Sequence, residues 1–329
     1  MRKFLTTLVA LLVLVGFVIA NSDRPEEILE RFLKFSATFS GQQDGHDRPS
    51  LPVHDERSIA IGSFNIQVFG RSKLNKPNVV EVLAAVVRQF DVIAIQELRS
   101  KDKDVIPQFL SVVNSDGSQY ESVIGPRLGR SVSKEQYVFL YDASRIELIR
   151  GTVYTINDRK DLLHREPLVA SFRVVRRTTD SPFTFTLINI HTDPDETDQE
   201  LNVLDDVVRA VEQAGEDDVI LVGDLNVDEN HLGELGELPN ITHVITGVPT
   251  NTRGTKTYDN IVFNRAATVE YTGQSGVLNL MTEFQLSEKQ ALQVSDHFPV
   301  WAVFDSREGG RSMKTGTQQA NRPTGTVVE

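Results

Sequence analysis

Two packed β-sheets flanked by helices, an α/β sandwich, is the fold class this sequence predicts. Three observations carry the prediction. Strand-length apolar segments far outnumber segments with helical periodicity. Many of the strand-length segments alternate apolar and polar residues or are continuously apolar, as strands covered on both faces are. Strands and helices also interleave along the chain, so helices must cover sheets that are too numerous in strands for a single doubly wound layer.

The elements follow in order. "SIAIGSFNI" (58–66) predicts a strand, "NVVEVLAAVVRQF" (78–90) a helix and "DVIAIQEL" (91–98) a buried strand. "DVIPQFLSVV" (104–113) predicts a short helix, and "YESVIG", "QYVFLYD" and "IELIRGTVYTI" predict strands at 120–125, 136–142 and 146–156. "PLVASFRVV" (167–175) and "FTFTLINIHT" (183–192) alternate clearly. "DQELNVLDDVVRAVEQAG" (198–215) is the longest helical pattern and stops on Gly215. Strands at 218–226, 258–264 and from Phe298 to Phe304 complete the core, which is bounded at 57–305. No internal repeat is present.

The ends read differently from the core. Arg2 and Lys3 precede the uncharged run 4–20, and Ala20 offers a cleavage position before Asn21, so residues 1–20 read as a signal peptide or a retained anchor. Either reading exports the domain, to the periplasm or the medium, with membrane contact only through an uncleaved 4–20. Residues 21–56 read as a short helix after Asp23 and Pro25 followed by a polar Gly/Pro linker. Residues 306–329 hold few apolar groups and read as a disordered tail.

Composition narrows the chemistry. The 329-residue chain has no cysteine, so a disulfide scaffold is excluded and stability rests on core burial. Its formal net charge of −12 excludes the general basic field of a nucleic-acid-binding surface. A polyanionic substrate would have to be met by a local basic patch or by bound cations.

Polar residues recur where apolar strands end. Asn65 follows "IGSF", Glu97 follows "VIAIQ", His191 follows "TLINI", and Asp224 and Asn226 follow "VILVG". Asp259 precedes "NIVF", and Asp296 and His297 precede "FPVWAVF". Any one of these fits a turn or cap, but packed sheets bring such ends to a common rim. Glu97, Asp224, Asp259 and Asp296 are hard oxygen donors suited to Mg²⁺ or Ca²⁺. Without cysteine or a His-x-x-x-His pair, zinc is disfavoured. Histidines beside carboxylates can act as general acid and base near neutral pH. The combination points to cation-assisted cleavage of a phosphate ester.

The segments "FNIQVFG", "IQELRS", "INIHTDP", "VGDLNVD", "TYDNIVF" and "SDHFPV", in this order, resemble the endonuclease/exonuclease/phosphatase superfamily across Ile59 to Phe304. "LGRSVSKEQYVFLYD" and "HREPLVASF" resemble its deoxyribonuclease I branch. The resemblance implies a four-layer α/β/β/α sandwich of two mixed sheets. It also implies an endonuclease that cleaves DNA to 5′-phosphate and 3′-hydroxyl ends. On that resemblance Asn65, Glu97 and Asp296 would hold Mg²⁺, with Mn²⁺ or Ca²⁺ as alternatives. Asp224 and Asn226 would flank the scissile phosphate. His297 oriented by Asp259, and His191 oriented by Glu135, would be the catalytic imidazoles. Arg99 and Arg165 match DNA-contacting positions, and Arg71, Lys73, Lys76, Arg127 and Arg130 lie in segments expected to reach the backbone.

The chain departs from the branch in three places. Ser133 stands where a tyrosine stacks on the minor groove, Val248 replaces a Ca²⁺-binding aspartate, and Glu229 and Lys256 occupy disulfide positions and are expected to form an ion pair there. Two other readings compete with the DNA endonuclease: a phospholipid or sphingomyelin phosphodiesterase, and a catalytically inactive binding domain. The sequence suggests no protein partner, and a monomer is expected. Asn240-Ile241-Thr242 fits a glycosylation acceptor, His231 and His243 are read as solvent-facing loop residues, and His46 and His54 as linker residues.

Overall fold

The structure, a computed structural model, describes residues 51–52, 55–130, 134–176, 181–215 and 217–309. The segment 1–20, the helix and most of the linker in 21–56, Ser133, and the tail beyond Gly309 lie outside the described residues. Order extends past the expected core boundary at 305. Ser306 is buried and donates its amide to the Arg57 carbonyl, and the Glu308 amide donates to Ser181.

The strands are β1 (Ser58–Phe69), β2 (Val92–Leu98), β3 (Tyr120–Ile124), β4 (Gln136–Asp142), β5 (Ile146–Leu148), β6 (Tyr154–Thr155), β7 (Leu168–Val174), β8 (Thr184–His191), β9 (Val219–Asp224), β10 (Ile241–His243), β11 (Asp259–Asn264), β12 (Tyr271–Val277) and β13 (Val300–Asp305). The helices are α1 (Arg71–Leu74), α2 (Pro77–Val87), α3 (Val105–Val113), α4 (Thr197–Gln213), α5 (Gly233–Glu237), α6 (Leu280–Glu283) and α7 (Glu288–Val294). One sheet has the order β12-β13-β1-β2-β4-β3, the other β10-β11-β9-β8-β7-β5, with β6 beside β7. Both are mixed, because β1 runs parallel to β2 and β8 parallel to β9 while the remaining pairs are antiparallel.

Three apolar clusters separate four layers. Ile59, Ile61, Phe139, Phe172, Leu187, Val222, Ile261 and Phe304 fill the space between the sheets. Val80, Leu83 and Val87 of α2 and Phe109 of α3 pack on the first sheet. Leu201, Leu204, Val208 and Val211 of α4 form an i, i+3, i+7, i+10 stripe on the second. Each fully buried aliphatic side chain of this kind contributes roughly 1.5–3 kcal/mol. The α/β/β/α expectation is met.

Two parallel connections position the site. A parallel pair needs a crossover, supplied by α1 and α2 between β1 and β2 and by α4 between β8 and β9. The carboxyl ends of all four strands therefore carry Asn65, Glu97, His191 and Asp224. Gly223, just before Asp224, has φ 156°, and a Cβ there would lie 1.9 Å from the Ile190 carbonyl oxygen. The close approach of β8 and β9 at the site thus requires glycine at 223.

Several expectations need correction. The strand expected over 146–156 is broken into β5 and β6 by a turn containing Gly151 at φ 82°. His243 lies in β10 and is half-buried rather than in a solvent-facing loop. Glu229 and Lys256 form no ion pair among the described contacts. Glu229 instead accepts the Gly247 amide at 2.7 Å, a bond that joins it to a backbone group earlier in the chain than Lys256.

Candidate active site

Strand alternation delivers most of the site. On β1, Ile59 and Ile61 face the other sheet and Ala60 and Phe64 face the helices, so Asn65 falls on the inter-sheet side. The same count places His191 in phase with Phe185 and Leu187, Asp224 with Ile220 and Val222, and Asp259 with Ile261 and Phe263. Glu135 continues the phase of Tyr137, Phe139 and Tyr141. Glu97 is the exception, since Val92 and Ala94 share the inter-sheet face and Glu97 has the opposite parity. A left-handed backbone at Glu97, φ 64°, breaks the alternation.

The assembled groups are nearly symmetric about Asp224. His191 Nδ1 lies 2.8 Å from Glu135 Oε1, and His297 Nδ1 lies 2.8 Å from Asp259 Oδ2. The two Nε2 atoms approach the same oxygen, Asp224 Oδ2, at 3.6 and 3.5 Å. Asn65 Nδ2 donates to that oxygen at 2.9 Å and to Glu97 Oε1 at 3.3 Å. Thr250 Oγ1 donates to Asp259 Oδ2 at 2.7 Å. Each imidazole is thus oriented at Nδ1 and presents Nε2 to a shared space, the arrangement a proton carrier needs.

Burial and charge act against each other here. Burial disfavours the imidazolium of His297, but Asp259 and Asp224 outweigh it and hold the pKa well above the ordinary histidine range. His191 is likewise raised: burial opposes the charge, and Glu135 and Asp224 overcome it. Burial pushes Asp259 upward against the pull of His297. Glu135 is lowered because, against its burial, His191, Arg165 and Arg99 stabilise the carboxylate.

Backbone strain shapes the rim. Gln67, Val68, Glu97 and Asn226 all have φ between 42° and 64°. For a β-branched residue such as Val68 this is a costly conformation, of order 1–3 kcal/mol. The turn lets the Gln67 amide reach Asn65 Oδ1 at 2.8 Å and the Val68 amide reach Glu97 Oε2 at 2.7 Å. Pairing of β1 with β2 shifts register between Asn65 and Phe69, the signature of a bulge. Gln67 Nε2 also donates to Asp296 Oδ2 at 2.8 Å, linking Asp296 to Asn65. Asn65, Glu97 and Asp296 offer oxygen donors without thiol or imidazole, a set that fits a hard divalent cation. Glu97, Glu135 and His191 also cluster, as do Asp224, Asp259 and His297, but within each the imidazole Nδ1 is already bonded to a carboxylate.

The remaining predicted site residues sit close by, with partners of their own. Arg99 Nε is 3.1 Å from Glu97 Oε2 and 3.5 Å from Glu135 Oε2. Arg165 is buried, with Nε 2.7 Å from Glu135 Oε1 and donating to the His191 carbonyl at 3.0 Å, and its Nη2 is buried without a protein acceptor. Asn226 donates one amide hydrogen to Thr192 and keeps another. The expected basic patch is largely committed elsewhere. Arg71 binds Asp102 and Gln108, Arg127 binds the Ser100 and Lys134 carbonyls, Arg130 binds Asp161 and Glu196, and Lys73 is buried. Lys76 is exposed at the start of α2. Arg71 and Arg130 are thus held by carboxylates and Arg127 by backbone carbonyls.

Glu200, absent from the predicted site, braces it from α4. Its carboxylate accepts the amides of Asp193 and of His164 (2.8 Å); Asp193 follows His191 by two residues and His164 precedes Arg165. Full burial raises its pKa from 4.5 to about 7. A carboxyl raised in the fold keeps its proton where the unfolded chain has lost it, so stability falls as pH rises from about 4.5 through about 7. The loss is on the order of 3 kcal/mol at ~1.4 kcal/mol per pH unit. Glu200→Gln is expected to flatten this decline. Melting temperatures of both proteins at pH 5 and pH 8 check it: wild type should lose roughly 5–10 °C more than the variant.

Fold and site together describe a hydrolase of the two-sheet sandwich class, and the comparisons agree. The sequence pattern of the Endonuclease/Exonuclease/phosphatase family matches residues 62–297. The chain is 33% identical over 257 residues to human Deoxyribonuclease-1-like 1, covering 74% of this chain and 83% of that protein. It is 29% identical over 274 residues to rat Deoxyribonuclease gamma, covering 76% and 86%. Among solved structures, truncated Caenorhabditis elegans TDP2 superimposes with a TM-score of 0.54 at 14% identity, over 76% of this chain and 100% of that one. D. rerio TDP2 complexed with single strand DNA product gives 0.52 at 16% identity, over 75% and 98%. The chain belongs to the endonuclease/exonuclease/phosphatase superfamily, in its deoxyribonuclease I-like branch.

Proposed function

We propose that this protein is an exported, divalent-cation-dependent endonuclease that hydrolyses DNA phosphodiester bonds to 5′-phosphate and 3′-hydroxyl ends. The observation that carries the reading is the convergence of two carboxylate-oriented imidazoles on Asp224 Oδ2, at 3.6 and 3.5 Å, in a chain whose relatives are named deoxyribonucleases. Asn65, Glu97 and Asp296 would hold Mg²⁺, and the bound ion supplies positive charge against the negative charge developing on the phosphate. Of the two imidazoles one accepts the proton of the attacking water at Nε2 and the other donates to the departing 3′-oxygen. Glu135 and Asp259 hold both rings in the tautomer this requires. The spare amide hydrogen of Asn226 is a donor available to a non-bridging phosphate oxygen. Export rests on the apolar run 4–20 alone.

Supercoiled plasmid incubated with the protein and Mg²⁺ is expected to become nicked and then linear, and to stay intact in EDTA. DNA ligase without kinase should reseal the nicks, since ligation needs a 5′-phosphate and a 3′-hydroxyl. Plasmid that stays supercoiled, with phosphocholine released from sphingomyelin vesicles instead, would overturn the DNA reading.

A further inference from the structure

Lys73 differs from the basic residues around it. Arg71 is half-exposed and Lys76 is exposed, whereas Lys73 is buried behind the cation-binding residues. Its ammonium donates to the carbonyl of Ile66 and to the carbonyl of Val294. Ile66 directly follows Asn65 on β1, and Val294 ends α7 two residues before Asp296. The two segments are far apart in the chain, with 229 residues separating Gln67 from Asp296. Two side-chain bonds also join them. Ser295 Oγ donates to the Asn65 carbonyl at 2.6 Å, and Gln67 Nε2 donates to Asp296 Oδ2 at 2.8 Å.

Burying an ammonium is expensive, and an apolar side chain of similar shape would avoid the cost. Burial lowers the Lys73 pKa to about 8, against the opposing pull of Asp296 and Glu97, so the group is largely charged at neutral pH. The two carbonyls engage its donors and the two carboxylates supply the nearby negative charge. We infer that Lys73 is a positioning residue for the cation site: by bridging the Ile66 and Val294 carbonyls it fixes the separation of Asn65 from Asp296. The inference rests on the proposed role of Asn65, Glu97 and Asp296 as cation-binding residues. An ammonium has no lone pair to offer a cation, so Lys73 acts through the two backbone segments it joins.

Binding of Mn²⁺ to the full chain, followed by electron paramagnetic resonance at pH 7, tests this together with the Mg²⁺ dependence of plasmid nicking. Lys73→Met is expected to weaken Mn²⁺ binding about 10- to 100-fold, the usual range for groups that orient ligands from behind. The Mg²⁺ concentration for half-maximal nicking should rise by a similar factor, while nicking at saturating Mg²⁺ falls much less. Should Lys73→Met fail to fold, Lys73→Gln, which keeps a donor without the charge, is measured in the same way. A folded variant whose Mn²⁺ affinity stays within about twofold of wild type, whatever its melting temperature, would overturn the inference and leave the cation site standing. Wild-type protein that binds no Mn²⁺ would overturn the cation site itself, and the inference with it.

Discussion

His297→Ala should lower plasmid nicking at saturating Mg²⁺ by roughly 10²–10⁴-fold, the contribution expected of a positioned general acid or base. The ring is buried, bonded at Nδ1 to Asp259 and facing Asp224 at Nε2, and His191 is held in its own place by Glu135 and does not replace it. The fold should survive, because the His297 amide still reaches Ser295 Oγ and the strand that follows is unchanged. Circular dichroism and thermal melting establish that point. Asp259→Asn tests whether the pair acts as a unit. If Asp259 works through His297, the double variant should be little slower than His297→Ala alone. Activity losses that multiply in the double variant, or near-normal nicking in His297→Ala, would contradict the assignment.

The part of this site that is legible in sequence is the part fixed by strand period. Asn65, His191, Asp224 and Asp259 extend apolar inter-sheet rows in steps of two, and Glu135 does the same one residue before β4. A strand that buries one row of side chains has no freedom to turn the next member elsewhere. Glu97 is visible in sequence as a carboxylate at a strand end, but its parity points to the helix side, and only a left-handed backbone brings it into the site. Gln67 and Val68 escape sequence reasoning for the same reason: a bulge is a tertiary choice, stabilised by Asn65 and Glu97 side chains that meet only in the fold. Lys73 reads as a surface cation because "GRSKLNK" is polar apart from Gly70 and Leu74. Its burial depends on Val294, which is 221 residues away.

The secondary structure missing from the sequence expectation divides along similar lines. The edge strand β12, "YTGQSGV", contains two glycines and little apolar character, and it forms because β13 offers an edge for it to pair with. Helix α7, by contrast, carries its own local signal. Ser287 and Gln290 form a capping box, the S-x-x-Q pattern, ahead of Ala291 and Val294. Local chemistry alone is enough to place that helix, whereas β12 needs its neighbour.

Asp224→Asn should also cost roughly 10²–10³-fold in nicking, comparable to removing a preorganised electrostatic group from an active site, and it should move the pH profile as well. Asp224 Oδ2 faces both Nε2 atoms and the Asn65 amide, and against the effect of burial its negative charge helps raise the pKa of each imidazole. Removing that charge lowers both values. An imidazole acting as base works only when neutral, so the acid limb of the residual activity should shift to lower pH in the variant. A change that only disturbed packing would reduce activity at every pH and leave the limb where it was. The comparison therefore separates an electrostatic role for Asp224 from a structural one: rate against pH in Mg²⁺, wild type beside Asp224→Asn, with an unmoved acid limb counting against the site as drawn. Asp259 supplies the contrast. It is the strongest of the carboxylates that hold His297 above its ordinary range, but it is bonded to the Nδ1 side of that ring, away from the space the two Nε2 atoms share. Asp259→Asn should consequently lower the His297 pKa while leaving that of His191 nearly in place, whereas Asp224→Asn moves the two together. Following both imidazole resonances by nuclear magnetic resonance across the titration reads this difference directly. It follows from one carboxylate being shared and the other being private to a single ring.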